Sequence, residues 1–497
     1  MQTTRPLGAF LRNFREAALA AAAAATLAAA PPAAAQDDSV AEQLRRMAER
    51  LARLEQRNQE LERRLQELQP AATAAQRTAT APAWGDAGRI DSLARDQKAL
   101  AQRVDDLARQ ADLVEAGEEA GPKFEASLVG VGQQLNAGGS ADGSSATRAN
   151  YRGDVTVELP AGSIAGAQIS ALGHVRFGQG EGVALRPTHT ATVNSLAFQT
   201  GAGADDSFAI LAQAHLTFEW SLADGGFNDR KGDRIELSVG KMDVFGFFDQ
   251  NAVAGDEAAQ FLNNAFVHNP LLDSGGDIAA DAYGFAPGLR LAYTRVGDGS
   301  AQWGASIGMF AAGSGANLSG SLGSPLVIAQ LDWSPLQLNG EPRGNYRVYA
   351  WSNGRTTGLD GARERHTGVG LSIDQRVGRD WNLFGRAGRR IAGHGTFDSA
   401  LTLGFEHGGR AWGRARDALG LASGWLRTSD AWRAASADGS VAGYASSRSE
   451  RLVELYYRMT LNEHLDLSPD FQLVQRPGGE VGAARVRVFG LRAAASF

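Results

Sequence analysis

Cysteine is absent from all 497 residues, which excludes a disulfide framework and any thiolate metal site. Long apolar runs are missing too: beyond residue 35 no stretch of about 18 apolar residues could cross a bilayer as a helix. Positive charge is the minority, 49 Lys and Arg against 55 Asp and Glu, so nothing points to nucleic acid. The eight histidines are scattered, and none falls in a Ser/His/Asp or His-x-x-x-His arrangement. The triplets at 201–203 and 313–315 have phosphate-loop glycines without the strand–helix context. Asp273, Asp277 and Asp281 are spaced by four, not by the two of a calcium loop. No enzyme, cofactor or metal is expected.

What is present begins with an address. Arg5, Arg12 and Arg15 precede an apolar stretch from Ala17 to Ala30, and Ala33-Ala34-Ala35 then gives way to a polar run. That order predicts a secretory signal peptide over 1–35. The segment carries three Arg and Glu16, so its removal takes the net charge from −6 to −8.

The region 36–70 predicts a coiled coil, with a seam of Val40, Leu44, Met47, Leu51, Leu54, Asn58, Leu61, Leu65 and Leu68. Asn58 is the polar seam residue that fixes register, and Pro70 ends the helix. An Ala/Thr/Pro linker (71–89) leads to a second, weaker heptad segment over 90–116. The seams either join identical stalks in a homo-oligomer or fold back as a hairpin. Asn58 has no apparent polar mate in the second seam, which favours the stalk.

From residue 123 to 497 the helical period disappears and short alternating segments recur, as expected of an all-β transmembrane barrel of about 16 antiparallel strands. The segments are 124–133, 150–159, 163–177, 207–220, 233–242, 286–296, 301–311, 326–334, 344–353, 366–375, 381–391, 400–407, 416–426, 448–460, 464–474 and 483–497. A seventeenth candidate, 191–200, alternates poorly. Without it the number is even, the short turns (160–163 the first) fall at one rim, and the long connections 178–206, 243–285 and 427–447 fall at the other. A soluble sandwich alternates in the same way with the apolar face inward. The signal peptide and a last strand with Phe489, Leu491 and Phe497 on one face decide for the barrel, with Phe497 in the aromatic girdle. A barrel of this size keeps an aqueous channel.

The connection 243–285 carries Asp249, Asp256, Glu257 and four further aspartates but no Lys or Arg, together with Asn251, Gln260, Asn263 and the rings of Phe245, Phe247, Phe248, Phe261 and Phe266. So many rings need burial, so this third outer loop is expected to fold into the lumen. Arg347, Tyr349 and Trp351 share one face of their strand. If that face is inward, a guanidinium and two rings line the passage, a surface suited to sugars, which present C–H faces and hydroxyls.

The stretch Gly240-Lys-Met-Asp243, with Phe248-Asp-Gln-Asn251, Asp256-Glu257, Gln260-Phe-Leu-Asn263 and Ala265-Phe-Val-His-Asn269, resembles the carbohydrate-selective porins of the OprB type. Glu454-Leu-Tyr-Tyr-Arg458, Leu467-Ser-Pro-Asp470 and Pro477-Gly-Gly479 extend the resemblance through the C-terminal strands. It implies a sixteen-stranded outer-membrane pore, trimeric, passing sugars by facilitated diffusion. The partners expected are therefore the lipid bilayer, permeating sugars, two further copies of the chain and a periplasmic contact through the coiled coil. The rival readings are a general or cation-preferring pore, favoured by the acidic third loop, and a structural protein tethering the envelope.

Overall fold

A computed structural model describes residues 121–189, 192–198, 206–222, 233–278, 280–281, 283–296, 301–311, 323–336 and 343–497. The signal peptide, both heptad segments and the linker lie outside the described residues.

Sixteen strands are described, in chain order. The first eight are β1 (Lys123–Leu135), β2 (Ala146–Ile164), β3 (Ala167–Gln179), β4 (Phe208–Ser221), β5 (Arg234–Asp243), β6 (Phe285–Val296), β7 (Ala301–Phe310) and β8 (Leu326–Pro335). The rest are β9 (Gly344–Thr357), β10 (Arg363–Val377), β11 (Trp381–Ala392), β12 (Phe397–Gly408), β13 (Ala418–Thr428), β14 (Glu450–Thr460), β15 (Leu465–Gln475) and β16 (Val486–Ser496). Each pairs antiparallel with its sequence neighbours, and β1 closes on β16 from Ser127↔Ser496 to Leu135↔Val488. Closure leaves no free sheet edge, the condition for strands to cross hydrocarbon with every backbone group paired.

Alternation sorts the side chains as the barrel requires. On β16, Phe489 and Leu491 are 55% and 50% exposed on the outer face, whereas Val488 and Arg492 are buried on the inner one. On β14 and β15, Leu455 and Leu465 face out, while Glu454, Tyr456, Asp470 and Gln472 are buried inside. Aromatics gather at the rim of the short turns. Trp303 pairs in register with Trp333, whose ring lies 5.1 Å from Tyr346, and Trp381 packs on Phe405 at 5.0 Å. Such amphipathic rings mark a membrane interface.

One sequence expectation changes. The first turn is not at 160–163: β2 continues through Pro160 with a register irregularity, because proline lacks a ladder donor and is tolerated at a bulge. The reversal falls at Ala165 and Gly166, with φ of 50° and 79°, the positive pair that a tight hairpin needs. The candidate 191–200 is not a strand where it is described; Val193, Leu196 and Phe198 are buried in the β3–β4 connection.

Candidate functional site: a cavity between the inner wall and two connections

The connection 244–284 has no cation except His268, so its carboxylates and unpaired carbonyls need donors from elsewhere. The inner wall supplies them. Arg386 of β11, 1% exposed, donates to Asp249 Oδ1 at 3.0 Å and to the carbonyls of Asp249 (3.1 Å), Ala254 (2.7 Å) and Phe266 (2.5 Å). Arg390, two inward positions along the same strand, donates to Asp277 Oδ1 at 2.7 Å and to the Gly275 carbonyl at 3.2 Å. Arg492 of β16 donates to the carbonyls of Glu257 and Gln260, each at 2.8 Å. On β14 the Glu454 carboxylate works in the opposite sense, accepting from the backbone N–H of Leu262 at 2.5 Å and Asn263 at 3.0 Å. A guanidinium is suited to this work: its planar fork bonds several acceptors at once and keeps its charge when buried.

Apolar burial reinforces the same contact. Phe248, Phe261 and Phe266 are fully buried, and Phe261 lies 5.4 Å from Phe384 and 5.0 Å from Tyr456 on the wall. Asn263 caps a short helix α1 (Asn264–Val267) by accepting from the Ala265 N–H, while its amide donates to Gln472 Oε1 at 3.1 Å.

The nine side chains singled out in the sequence divide by location. Asp249, Asn251, Glu257 and Arg347 border a cavity of about 1120 Å³. Arg347 is held by Asp374 at 3.0 Å. Asn251 donates to Ser372 Oγ at 3.1 Å and accepts from the backbone N–H of Val253 and Ala254. Asp256 and Gln260 stitch the connection to itself: Asp256 accepts from the Ala258 N–H, and Gln260 bridges the Gly255 N–H and the Ala252 carbonyl. Tyr349 and Trp351 do face inward, but both are 2% exposed and offer no ring face to the cavity. Tyr349 donates to Asp249 Oδ1 at 2.7 Å, and the Trp351 indole N–H donates to Asp277 Oδ2 at 2.9 Å. Their rings lie flat on Gly370 and Gly368 of β10, where an added Cβ would come within 2.2 Å of each ring. These rings fasten the connection to the wall.

Sequence reasoning missed Arg386, Arg390 and Arg492 as fasteners, and it placed the β3–β4 connection (178–206) among the outer loops without seeing its part in the site. In that connection, the Val193 carbonyl accepts from Gln133 Nε2 at 3.0 Å and Gln472 Nε2 at 2.8 Å. Ser195 donates to the Leu262 carbonyl through both its N–H and its hydroxyl, joining the two connections. The signal was the buried spacing of Val193, Leu196 and Phe198, which a strand template cannot fit.

Around the cavity the basic side chains are matched. Arg152 reaches Glu257 at 2.8 Å and Asp154 at 2.9 Å, Arg176 reaches Asp154 at 2.6 Å, and Lys241 reaches Asp281 at 2.8 Å. Burial would raise the Glu257 carboxyl, but the Arg152 guanidinium, backed by Arg176 and His268, outweighs it and holds the group at about 2. His268 stacks on Phe245 with centroids 3.7 Å apart, and its Nδ1 lies 2.9 Å from Asp273. Burial pushes this imidazole down, yet the hydrogen bond and charge of Asp273 prevail and raise it above the ordinary value.

The first anchor of the β3–β4 connection titrates. The His189 N–H donates to Glu450 at 2.8 Å, and its Nε2 lies 2.7 Å from Thr428 Oγ1. The Thr428 hydroxyl donates to the Arg448 carbonyl, so Nε2 carries a hydrogen and donates to Thr428. Burial lowers the imidazole from 6.5 to about 4. A folded value below the free one means that this anchor is intact above pH ~6.5 and lost as pH falls toward 4, by about 3 kcal/mol in all. Hydrogen exchange across 183–189, corrected for intrinsic rates, is expected to show opening at pH 5 that is absent at pH 7.5. Equal protection at both values would remove His189 as the sensor.

Over residues 44–497 the sequence matches the family model described as carbohydrate-selective porin, OprB family. No curated protein matches the chain by sequence. Among solved structures, the high-pH structure of Pseudomonas putida OprB is similar at a TM-score of 0.61 and 18% identity, covering 76% of this chain and 95% of that one. The outer membrane channel DcaP of Acinetobacter baumannii aligns at a TM-score of 0.45 and 12% identity, covering 76% of this chain and 98% of that one. The closed sixteen-stranded barrel, its inverted polarity and the family match over most of its length place this chain in the OprB family of carbohydrate-selective porins, as a porin of the outer membrane.

Proposed function

We propose that this porin passes sugars by energy-independent diffusion through a lumen that the third outer connection, 244–284, folds into and narrows. One observation carries this reading: the wall residues that hold the connection are on the inner face, and four of the nine candidate side chains border the cavity it leaves. That border mixes donors (Arg152, Arg347), acceptors (Glu257, Asn251) and aromatic rings (Phe245, Tyr283), the groups that bind hydroxyls and C–H faces. Facilitated diffusion needs such contacts to be weak and numerous, so that entry is favourable and exit remains fast.

The heptad seam with Asn58 supports a coiled coil in the periplasm joining three copies, and through it a contact with a periplasmic partner. A general cation-preferring pore is the second reading, favoured by the excess of carboxylates on the connection.

Single-channel conductance in a planar bilayer, titrated with glucose and then maltodextrins, separates the two. Saturable block of the ion current is expected for the sugar channel. A current insensitive to either solute, with cations preferred, would leave only the general pore.

A further inference from the structure

We propose that Asp243 makes this passage favour protonated amino sugars over sugar acids; the inference rests on the sugar reading above.

The argument is a balance of charge inside the cavity. All four guanidiniums on its border are committed: Arg152 to Glu257, Arg176 to Asp154, Arg347 to Asp374 and Arg386 to Asp249. A sugar carboxylate entering here finds no spare cation, and it could bind one only by displacing a protein carboxylate from a contact of 3.0 Å or less. The converse does not hold. Asp243, at the cavity end of β5, accepts from the Phe245 backbone N–H at 2.9 Å and, among the described residues, has no cation within ion-pair distance. The two positive groups whose fields reach it, His268 and Arg176, are engaged by Asp273 at 2.9 Å and Asp154 at 2.6 Å. Lys241, two residues earlier on β5, is engaged by Asp281. A free carboxylate oxygen therefore borders the cavity, which Phe245, Phe285 and Tyr283 also line.

Carboxylate and aromatic ring faces together suit a primary ammonium, which donates a charge-assisted hydrogen bond to the one and is attracted by the quadrupole of the other. Phe285 is already used this way, with the Arg176 guanidinium 5.1 Å and the Lys241 ammonium 5.8 Å from its ring centre. An amino sugar carries such an ammonium and keeps the hydroxyls that the rest of the border binds. A sugar acid places its charge against uncompensated negative potential.

Uptake of radiolabelled glucosamine, glucose and glucuronate into proteoliposomes holding the full-length protein tests this at neutral pH and low salt. The order glucosamine, glucose, glucuronate is expected, with a glucosamine-to-glucuronate ratio of about fivefold or more, the factor of one unit-charge contact in water. Asp243→Asn keeps the acceptor for the Phe245 N–H and should bring the ratio toward one. Asp438→Asn, in an exposed outer loop, should leave the ratio at its wild-type value. Glucuronate passing as fast as glucosamine in the wild type overturns the proposal, as does an unchanged ratio in Asp243→Asn. Failure of the sugar reading looks different: glucose would pass no faster than a non-sugar solute of its size, whatever the charge order.

Discussion

Replacing Arg386 with leucine is expected to unseat the connection 244–284 and to raise single-channel conductance and current noise together. The substitution strands the Asp249 carboxylate, which is fully buried, and leaves the carbonyls of Asp249, Ala254 and Phe266 without their donor. Breaking a buried ion pair from one side costs about 3–5 kcal/mol. That shifts the ratio of seated to unseated loop by roughly a hundredfold to several thousandfold. The barrel itself should survive, because its pairings are backbone hydrogen bonds between strands that do not involve this side chain. Arg386→Lys should recover only part of the wild-type conductance, since one ammonium cannot reach four acceptors arranged around a planar fork. The double variant Arg386→Leu with Asp249→Leu removes both charges and should be quieter than Arg386→Leu alone. Conductance and noise unchanged in Arg386→Leu, with the protein correctly folded, would show that this guanidinium does not hold the loop.

The barrel was readable because its signal is local and repeated. Alternation along each strand, the even number of strands and the division into short and long connections each constrain the others, and each of the sixteen segments overlaps the strand of the same order. What failed was local as well: Pro160 looked like a turn, and only the pairing partners on β3 show that the ladder runs past it. Arg386 and Arg390 were hidden for a different reason. They share one face of β11, but Arg389 lies on the other, so alternation alone gives that strand no polar side. Their role exists only in relation to acceptors more than a hundred residues away. The same distance hid the use of Tyr349 and Trp351. Their inward face followed from periodicity, whereas their burial depends on Asp249 and Asp277 arriving to accept their hydrogen bonds. A composition argument found that the connection must bury its rings but could not name the wall residues that receive them.

Asp277 should prove the second fastening, and its effect should not add to that of Arg386. Its buried carboxylate accepts from His366 Nδ1 at 2.7 Å, Arg390 Nη2 at 2.7 Å and Trp351 Nε1 at 2.9 Å, while its carbonyl accepts from Asn353 at 3.0 Å. Asp277→Leu strands the guanidinium, the imidazole and the indole N–H together, a loss of about 3–5 kcal/mol by the same reasoning as for the other pair. Trp351 reports it directly: in 5-fluorotryptophan-labelled protein, the resonance absent from Trp351→Phe should move in Asp277→Leu. Because Arg386 and Arg390 lie on one strand and grip the two ends of one connection, a loop that seats as a unit is already unseated once either grip is lost. The double variant Arg386→Leu with Asp277→Leu should then conduct little more than either single variant, a coupling of the size expected for residues acting through a shared element. Independent halves would instead give additive increments in conductance, and the Trp351 resonance would stay at its wild-type position in Arg386→Leu. The resonance is the sharper measurement, because it reads the far grip while the near one is broken.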